Sequence, residues 1–205
     1  MTGMPRAPLL SCYDDLPATL ETAWQTLVRG AVDRRSPFHS PVVGTTGEGG
    51  QPRLRTMILR AVTPSTRLLR VHTDVRAEKW ADLVADPRIA LLFYDPGLKV
   101  QMRVEGTARL HHKDEVAQAA WAQSQRMSRA CYATMPAPGA MIEEGGAFTL
   151  PEPNDAAVAP GEHHFGVLAI TALRLEWLYL AHEGHRRARF AWDEAGTPSA
   201  HWLVP

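Results

Sequence analysis

The chain contains three side chains of the types that bind anions. A fourth side chain, an amide, can form hydrogen bonds with the polar edge of a ring. Arg55 and Lys79 carry the charges that a phosphate monoester needs, because Arg binds such a group through two parallel hydrogen bonds and Lys adds a point charge. Thr73 offers a hydroxyl before a helix predicted over 76–85, where free backbone N–H groups also face anions. The Gln101 amide can both donate to and accept from a pyrimidine-like ring. Taken singly these are ordinary surface groups, but in combination they predict a site for a flat, phosphorylated cofactor.

Hydrophobic spacing predicts the elements that position these residues. An amphipathic helix is predicted over about 15–34, because apolar residues recur at helical intervals between an acidic cap and Ser36-Pro37. One strand over 53–62 would place Arg55 and Arg60 on opposite faces. The apolar run over 89–94 predicts a strand buried on both faces. Further strands are predicted at 42–45, 68–72, 98–111, 165–171, 174–181, 187–192 and 201–204, and a second helix region runs from 113 to 132.

The order of these elements predicts the fold class. Many short strands with few long helices indicate a mainly β protein, a β-barrel with flanking helices. Glycine and proline crowd residues 135–162, which we expect to be a loop or a flexible excursion rather than a simple connection. We expect one domain over residues 1–205.

Composition narrows the classes of partner. Lys and Arg together number 22, as do Asp and Glu, so the chain lacks the basic excess that nucleic acid binding needs. No apolar run approaches the roughly 20 residues that span a bilayer, which argues against a membrane partner. Cys12 and Cys131 lie far apart and form no C-x-x-C pair. A reduced, cytoplasmic protein is the simplest interpretation.

The nine histidines and the possible nucleophiles carry no metal or triad motif. His111 and His112 are adjacent on a predicted strand and therefore point to opposite faces. His182 and His185 lie in a strand or turn pattern, and the H-E-x-x-H motif is absent, so we predict no metal site. Ser124 has no surrounding nucleophile signature.

Five ordered motifs resemble those of the pyridoxamine 5'-phosphate oxidase-related family of FMN-binding split β-barrels. Each motif is weak alone, but their order makes the resemblance strong over residues 42–127 and looser over the last forty or so. They are Arg55-Thr-Met-Ile-Leu-Arg60, His72-Thr73 with Ala77-Glu-Lys79, Asp86-Pro-Arg-Ile-Ala-Leu-Leu-Phe93, Gln101-Met-Arg-Val-Glu-Gly106, and a carboxyl end with Leu175-Glu-Trp177 and Trp202-Leu-Val-Pro205.

The resemblance implies an FMN-binding split barrel with Greek-key antiparallel strands. It also implies a homodimer, because flavin in this family sits at the interface of two chains. The implied function is that of a flavin-dependent oxidoreductase acting on a small molecule. The positions that match the family's flavin-binding residues are Arg55, Met57, Ile58, Arg60, Thr73, Lys79, Gln101 and, in a less certain register, Arg187.

Departures from the family pattern concern the substrate. The resemblance places Arg60, Ser128 and His185 on the substrate side, with His185 as the candidate proton-transfer group. Ala120 and Ser124 occupy positions where the family oxidase binds its substrate phosphate, and neither side chain can do so. These changes favour a substrate other than pyridoxamine 5'-phosphate. They also leave open a non-enzymatic flavin or haem carrier or sensor, and a reductase that uses the deazaflavin F420.

Overall fold

The computed structural model describes residues 9–205, in which nine strands form one antiparallel sheet. The strand order is β2-β1-β5-β6-β7-β4-β3, and β8 and β9 extend the sheet from β7. The elements are α1 (Leu16–Val32), β1 (Val42–Thr46), β2 (Pro52–Thr56), β3 (Leu59–Thr63), β4 (Leu68–Asp74), α2 (Glu78–Ala85), β5 (Arg88–Asp95), β6 (Val100–His111), α3 (Glu115–Gln123), α4 (Arg126–Ala130), α5 (Asp155–Val158), β7 (Phe165–Tyr179), β8 (Arg186–Trp192) and β9 (Pro198–Leu203). The prediction of a mainly β fold with flanking helices is confirmed.

The prediction of a single strand over 53–62 is wrong, because the chain leaves the sheet at Met57 and Ile58. Strand β2 before the break pairs only with β1, whereas β3 after it pairs only with β4. The two strands thus form the opposite ends of the strand order, although two residues separate them in the chain. A sheet whose two end strands are joined so closely must curl until its ends meet.

Two further expectations about the sheet are corrected. Strand β5 is buried on one face only within the chain, since Leu92 and Tyr94 on its outer face are exposed while Leu91 and Phe93 are buried. The two strands predicted over 165–181 are one strand, β7, with a bulge between Ala172 and Arg174. The bulge leaves Leu173 and Arg174 both exposed, and this interruption of the pattern is where the two strands were predicted to divide.

The helices lie largely where they were predicted. The Asp15 carboxylate caps α1 by accepting from the Ala18 N–H at 2.8 Å, and Pro17 lies in the first turn. The helix region predicted from 113 to 132 divides into α3 and α4, and the backbone is extended at Ser124 and Gln125. The inner faces of α1 and the sheet bury the core side chains Leu27, Phe38, Leu59, Leu69, Phe93, Met102, Leu168, Ile170 and Phe190.

Residues 135–162 contain the short helix α5 and one isolated bridge. Met135 and Thr149 exchange backbone hydrogen bonds, at 3.3 Å and 2.7 Å, which closes the first part of this segment into a loop.

Over residues 9–205, no helix combines the length and the apolar character that crossing a membrane requires. Nor do three or more His, Cys, Asp or Glu side chains cluster there in a way that would hold a metal ion.

One buried carboxylate connects three strands on the outer face of the sheet. Glu176 on β7 accepts hydrogen bonds from Arg103 on β6 and from Arg187 and Arg189 on β8. Burial alone would raise the pKa of Glu176, but the hydrogen bonds from Arg187, Arg103 and Arg189 outweigh burial and hold its pKa at about 2. The glutamate is therefore charged at any ordinary pH and binds β6, β7 and β8 together.

Replacing this carboxylate should weaken the fold in a pH-dependent way. Because the folded pKa lies below the ordinary Glu value, the stabilisation is complete above about pH 4.5 and is lost as the pH falls towards 2. We expect Glu176→Gln to lower the free energy of unfolding at pH 7 by about 1–3 kcal/mol. The difference from the unsubstituted protein should shrink between pH 5 and pH 2.5 in urea unfolding curves.

The matched control is Glu105→Gln, which alters a half-exposed pair with Arg174 on the same sheet and should cost far less. A Glu176→Gln penalty that stays constant down to pH 2.5 would contradict the role given to the charged carboxylate.

Candidate functional site

A cleft of about 570 Å³ opens where the two ends of the sheet meet. Its walls come from the break between β2 and β3, the end of β4, the start of α2 and the residues that follow α4. This volume is within the range of about 300–1,000 Å³ that is usual for small-molecule sites. The lining residues are Arg55, Thr56, Met57, Ile58, Arg60, His72, Thr73, Asp74, Ala77, Glu78, Lys79, Cys131, Tyr132, Pro138 and Gly139.

The cationic side of the cleft is formed by Arg55 and Lys79. One guanidinium nitrogen of Arg55 donates to the Thr45 hydroxyl at 2.6 Å, and the other lies 3.6 Å from the buried Asp82 carboxylate. Within residues 9–205, no carboxylate lies within 4.0 Å of the Lys79 ammonium. Burial, followed by the charge of Arg55, lowers the pKa of Lys79. A bound anion would relieve this repulsion, so the arrangement favours a negatively charged group.

A bulge brings Arg60 into the cleft. Leu59 pairs with Val71 and Ala61 pairs with Arg70, so Arg60 is the extra residue between them. Bulges commonly redirect a side chain next to a binding site. The Nε of Arg60 is buried and has no hydrogen-bond partner in the described structure. An orphaned donor of this kind fits a site that is completed by a ligand.

The far wall is held by an ion pair at the end of β4. Asp74 is buried and takes two hydrogen bonds from the Arg76 guanidinium, at 2.7 Å and 3.0 Å. The same guanidinium donates to the carbonyl oxygens of Tyr132 and Thr134. This pair therefore fixes the chain after α4 against the start of α2, on the side of the cleft opposite the break between β2 and β3.

Two neutral side chains with unusual pKa values line the cleft. Burial, reinforced by the charges of Arg60 and Arg70, lowers the pKa of His72 to about 4. Burial raises the pKa of Tyr132 to about 12. Both rings pack edge-on against Phe165, with centroids 4.9 Å away. At neutral pH the cleft thus offers an uncharged imidazole and an uncharged phenol.

Six of the eight predicted cofactor-binding residues come together in this cleft. They are Arg55, Met57, Ile58, Arg60, Thr73 and Lys79. Thr73 is buried, and its hydroxyl donates to the Asp74 carbonyl at 3.3 Å. The sequence therefore predicted most of the cleft through its motifs. His72 belonged to a quoted motif but was assigned no role.

The other two predicted cofactor-binding residues lie outside the cleft. Gln101 pairs across the sheet with Leu178, which pairs with Arg187, so all three share the outer face next to Glu176. His185, predicted as the proton-transfer group, is exposed in the turn between β7 and β8 and does not line the cleft. A single chain does not bring these three residues to Arg55 and Lys79.

The predicted substrate-side residues Arg60 and Ser128 line a second cavity of about 230 Å³. It adjoins the cleft, because Arg60 and His72 line both. Ala120 and Ser124, the two positions that cannot bind a phosphate, also border this cavity. Arg34 and Arg70 line it as well, and no sequence motif had indicated either residue.

Comparison of the sequence with known proteins finds the same family that the motifs resemble. Residues 21–112 match the family model described as pyridoxamine 5'-phosphate oxidase, FMN-binding domain. A pyridoxine/pyridoxamine 5'-phosphate oxidase of Gluconobacter oxydans is 34% identical over 87 residues, which are 42% of this chain and 42% of that protein. Its counterpart in Sphingopyxis alaskensis is 29% identical over 106 residues, 52% of this chain and 47% of the relative. The matched region spans less than half the length of these curated relatives.

Solved structures share the fold. A pyridoxamine 5'-phosphate oxidase-related, FMN binding protein from Nostoc punctiforme has a TM-score of 0.68 at 22% identity, over 97% of this chain and all of that chain. PhzG from Burkholderia lata, solved in complex with tetrahydrophenazine-1-carboxylic acid, has a TM-score of 0.70 at 18% identity, over 97% of this chain and 98% of its own. The resemblance is thus confirmed: through residues 21–112 the chain is related to the pyridoxamine 5'-phosphate oxidase FMN-binding domain family, and it has the split-barrel fold of those proteins.

Proposed function

We propose that the protein binds FMN in the 570 Å³ cleft and acts as a flavin-dependent oxidoreductase on a small molecule. The observation that carries this proposal is the juxtaposition of Arg55 and Lys79 with the break at residues 57–58. The two cations match a phosphate monoester, and the orphaned Nε of Arg60 is a further donor for a ligand. The match of residues 21–112 to an FMN-binding domain supports the identity of the cofactor.

In this proposal each part of the cleft has one task. Arg55 and Lys79 bind the phosphate, while the chain at Met57 and Ile58 lies against the ring. Bound FMN supplies the redox chemistry, and the protein binds it, orients it and limits access of water. His72 is uncharged at neutral pH and can exchange a hydrogen bond with a substrate on the Arg60 side. The two cysteines are free, which is compatible with the proposed cytoplasmic location.

A second copy of the chain completes the proposed site. Gln101 and Arg187 lie on the outer face of the sheet, together with the exposed Leu92 and Tyr94 of β5. Exposed apolar side chains beside polar ones are typical of an interface. We propose that this face packs against the partner, so that each chain supplies Gln101 and Arg187 to the other's cleft.

Removing either phosphate-binding cation should release FMN. A hydrogen bond to a charged group contributes about 1.5–3 kcal/mol, so we expect Arg55→Ala and Lys79→Ala each to weaken FMN binding by about 10- to 100-fold. Quenching of flavin fluorescence during titration measures the affinity, and thermal melting checks that each variant is folded. The matched control is Arg88→Ala, which removes an exposed cation paired with Asp86 and should leave the affinity unchanged. Equal FMN affinity in folded Lys79→Ala and in the unsubstituted protein would contradict the assignment.

Turnover separates an oxidoreductase from a flavin carrier. We expect the FMN-loaded protein to reduce its flavin with a nicotinamide donor or a small organic substrate, and to reoxidise it repeatedly, as followed by flavin absorbance. The control is free FMN at the same concentration. Flavin that stays bound but is never reduced faster than free FMN would indicate a carrier or sensor, and preferential binding of F420 would indicate a deazaflavin reductase.

The dimer can be tested on the outer face. We expect Tyr94→Asp to convert a dimer into monomers in light scattering and to weaken FMN binding, because it places a charge in the proposed interface. The control is Val84→Asp on α2, since Val84 is also exposed but lies on a different element. A Tyr94→Asp protein that remains dimeric with full FMN affinity would rule out this face as the interface.

A further inference from the structure

A buried threonine hydroxyl lies between Arg55 and the Asp82 carboxylate. One guanidinium nitrogen of Arg55 donates to the Thr45 hydroxyl at 2.6 Å, and that hydroxyl donates to Asp82 at 2.9 Å. The direct distance from Arg55 to the Asp82 carboxylate is 3.6 Å, which is longer than a hydrogen bond. Thr45 and Asp82 are both buried, and neither lines the cleft of about 570 Å³. The Thr45 hydroxyl therefore bridges the two charges from behind the cleft.

Local structure brings these three side chains together. Thr45 on β1 pairs across the sheet with Arg53 on β2, and Arg55 lies two residues further along the same face of β2. Asp82 lies on α2 three residues after Lys79, a spacing that puts both side chains on one side of the helix. Because α2 packs against β1, the Asp82 carboxylate reaches the two paired strands.

The bridge has a fixed hydrogen-bond direction. A hydroxyl has one proton to donate and two lone pairs that accept. The Asp82 carboxylate accepts the Thr45 proton and also a hydrogen bond from Arg53 at 3.0 Å, so the lone pairs of the hydroxyl are left for Arg55. The same nitrogen of Arg55 also donates to the Arg53 carbonyl at 3.2 Å. Arginine has considerable rotamer freedom, and these bonds restrain the guanidinium group before any ligand binds.

A paired arginine elsewhere in the fold indicates what the hydroxyl prevents. Arg76 lies 2.7 Å from Asp74, in direct contact with its carboxylate. A guanidinium group in such a pair has fewer donors for a ligand, and its charge is largely compensated. Because Thr45 lies between Arg55 and Asp82, the Arg55 guanidinium stays at the cleft with part of its charge uncompensated.

We propose that Thr45 is a positioning residue for Arg55 and thereby determines how strongly the cleft prefers a phosphorylated flavin over riboflavin. This inference rests on the proposed function in one respect, that Arg55 binds the FMN phosphate. Without the hydroxyl, the guanidinium moves towards Asp82 and pairs with it directly, so it no longer meets the phosphate in the same geometry. The flavin ring does not depend on this bond, and riboflavin binding is therefore unaffected.

The two flavins are the probes that test this role. We expect the unsubstituted protein to bind FMN about tenfold or more tightly than riboflavin, as measured by quenching of flavin fluorescence. Thr45→Val removes the hydroxyl but keeps the shape of the side chain. It should weaken FMN binding about 5- to 10-fold while riboflavin affinity stays unchanged. Thr45→Ser restores the hydroxyl and should return FMN affinity to within about twofold of the original value.

Two further measurements separate positioning from a loss of stability. In the Arg55→Ala background, Thr45→Val should cause no additional loss of FMN affinity, because Thr45 acts only through Arg55. The control is Thr107→Val, the same substitution on β6 outside the cleft, which should leave both affinities unchanged. Thermal melting verifies that each variant is folded, and Thr45→Ala repeats the test if Thr45→Val does not fold.

Three outcomes would overturn the proposal. One is full FMN affinity in folded Thr45→Val, and another is an equal loss of FMN and riboflavin binding, which would indicate a purely structural role. The third is an additive loss in the double variant. Failure of the proposed function looks different. An unsubstituted protein that binds FMN no more tightly than riboflavin would refute both proposals, whereas a loss of FMN in Arg55→Ala with none in Thr45→Val would refute only the role of Thr45.

Discussion

The break in the chain at Met57 and Ile58 is the constraint on which both the sheet and the site depend. It lets one segment of twelve residues provide β2 at one end of the strand order and β3 at the other. Met57 itself is buried and donates its N–H to the Pro41 carbonyl at 3.0 Å, which holds the break in place. Because residues 57–58 have no strand partner, the chain there lines a cleft instead of a ladder. The residues on either side, Arg55 and Arg60, project into the same opening.

Several of the cations fall into two groups, one in the scaffold and one around the cavities. In the first group each arginine has a carboxylate partner, and these pairs stabilise the scaffold. Arg76 with Asp74 fixes the wall of the cleft, and the three arginines around Glu176 join β6, β7 and β8. In the second group the cations have no such partner within the described chain, and they line the two cavities. The members of this second group are Lys79, Arg34, Arg60 and Arg70. Arg55 shares a feature of both groups, because it lines the cleft and also lies 3.6 Å from the Asp82 carboxylate.

Sequence patterns predicted most elements, and they failed where the backbone departs from regular alternation. The break at residues 57–58 was missed because Met57, Ile58 and Leu59 form a continuous apolar run that is equally compatible with one unbroken strand. In β7 the bulge was taken for the end of one strand and the start of another. The cleft was largely predicted, since its residues lie in short motifs around Arg55 and Lys79. Arg34 and Arg70 could not be found in this way. They belong to no motif, and only the packing of the chain after α1 against the break between α3 and α4 brings them near Arg60.

The central position of β7 also affects how the chain is made. Hairpin β3–β4 joins the remaining sheet only through β7, and residue pairs such as Thr73–Gly166 lie about a hundred residues apart, a separation that slows folding. During synthesis the ribosome completes β1, β2, β5 and β6 well before β7 emerges. Until then the backbone N–H and C=O groups on one edge of β4 lack their strand partner, so the half of the cleft that carries His72 and Thr73 cannot take shape. The cleft can therefore form only after β7 has been synthesised.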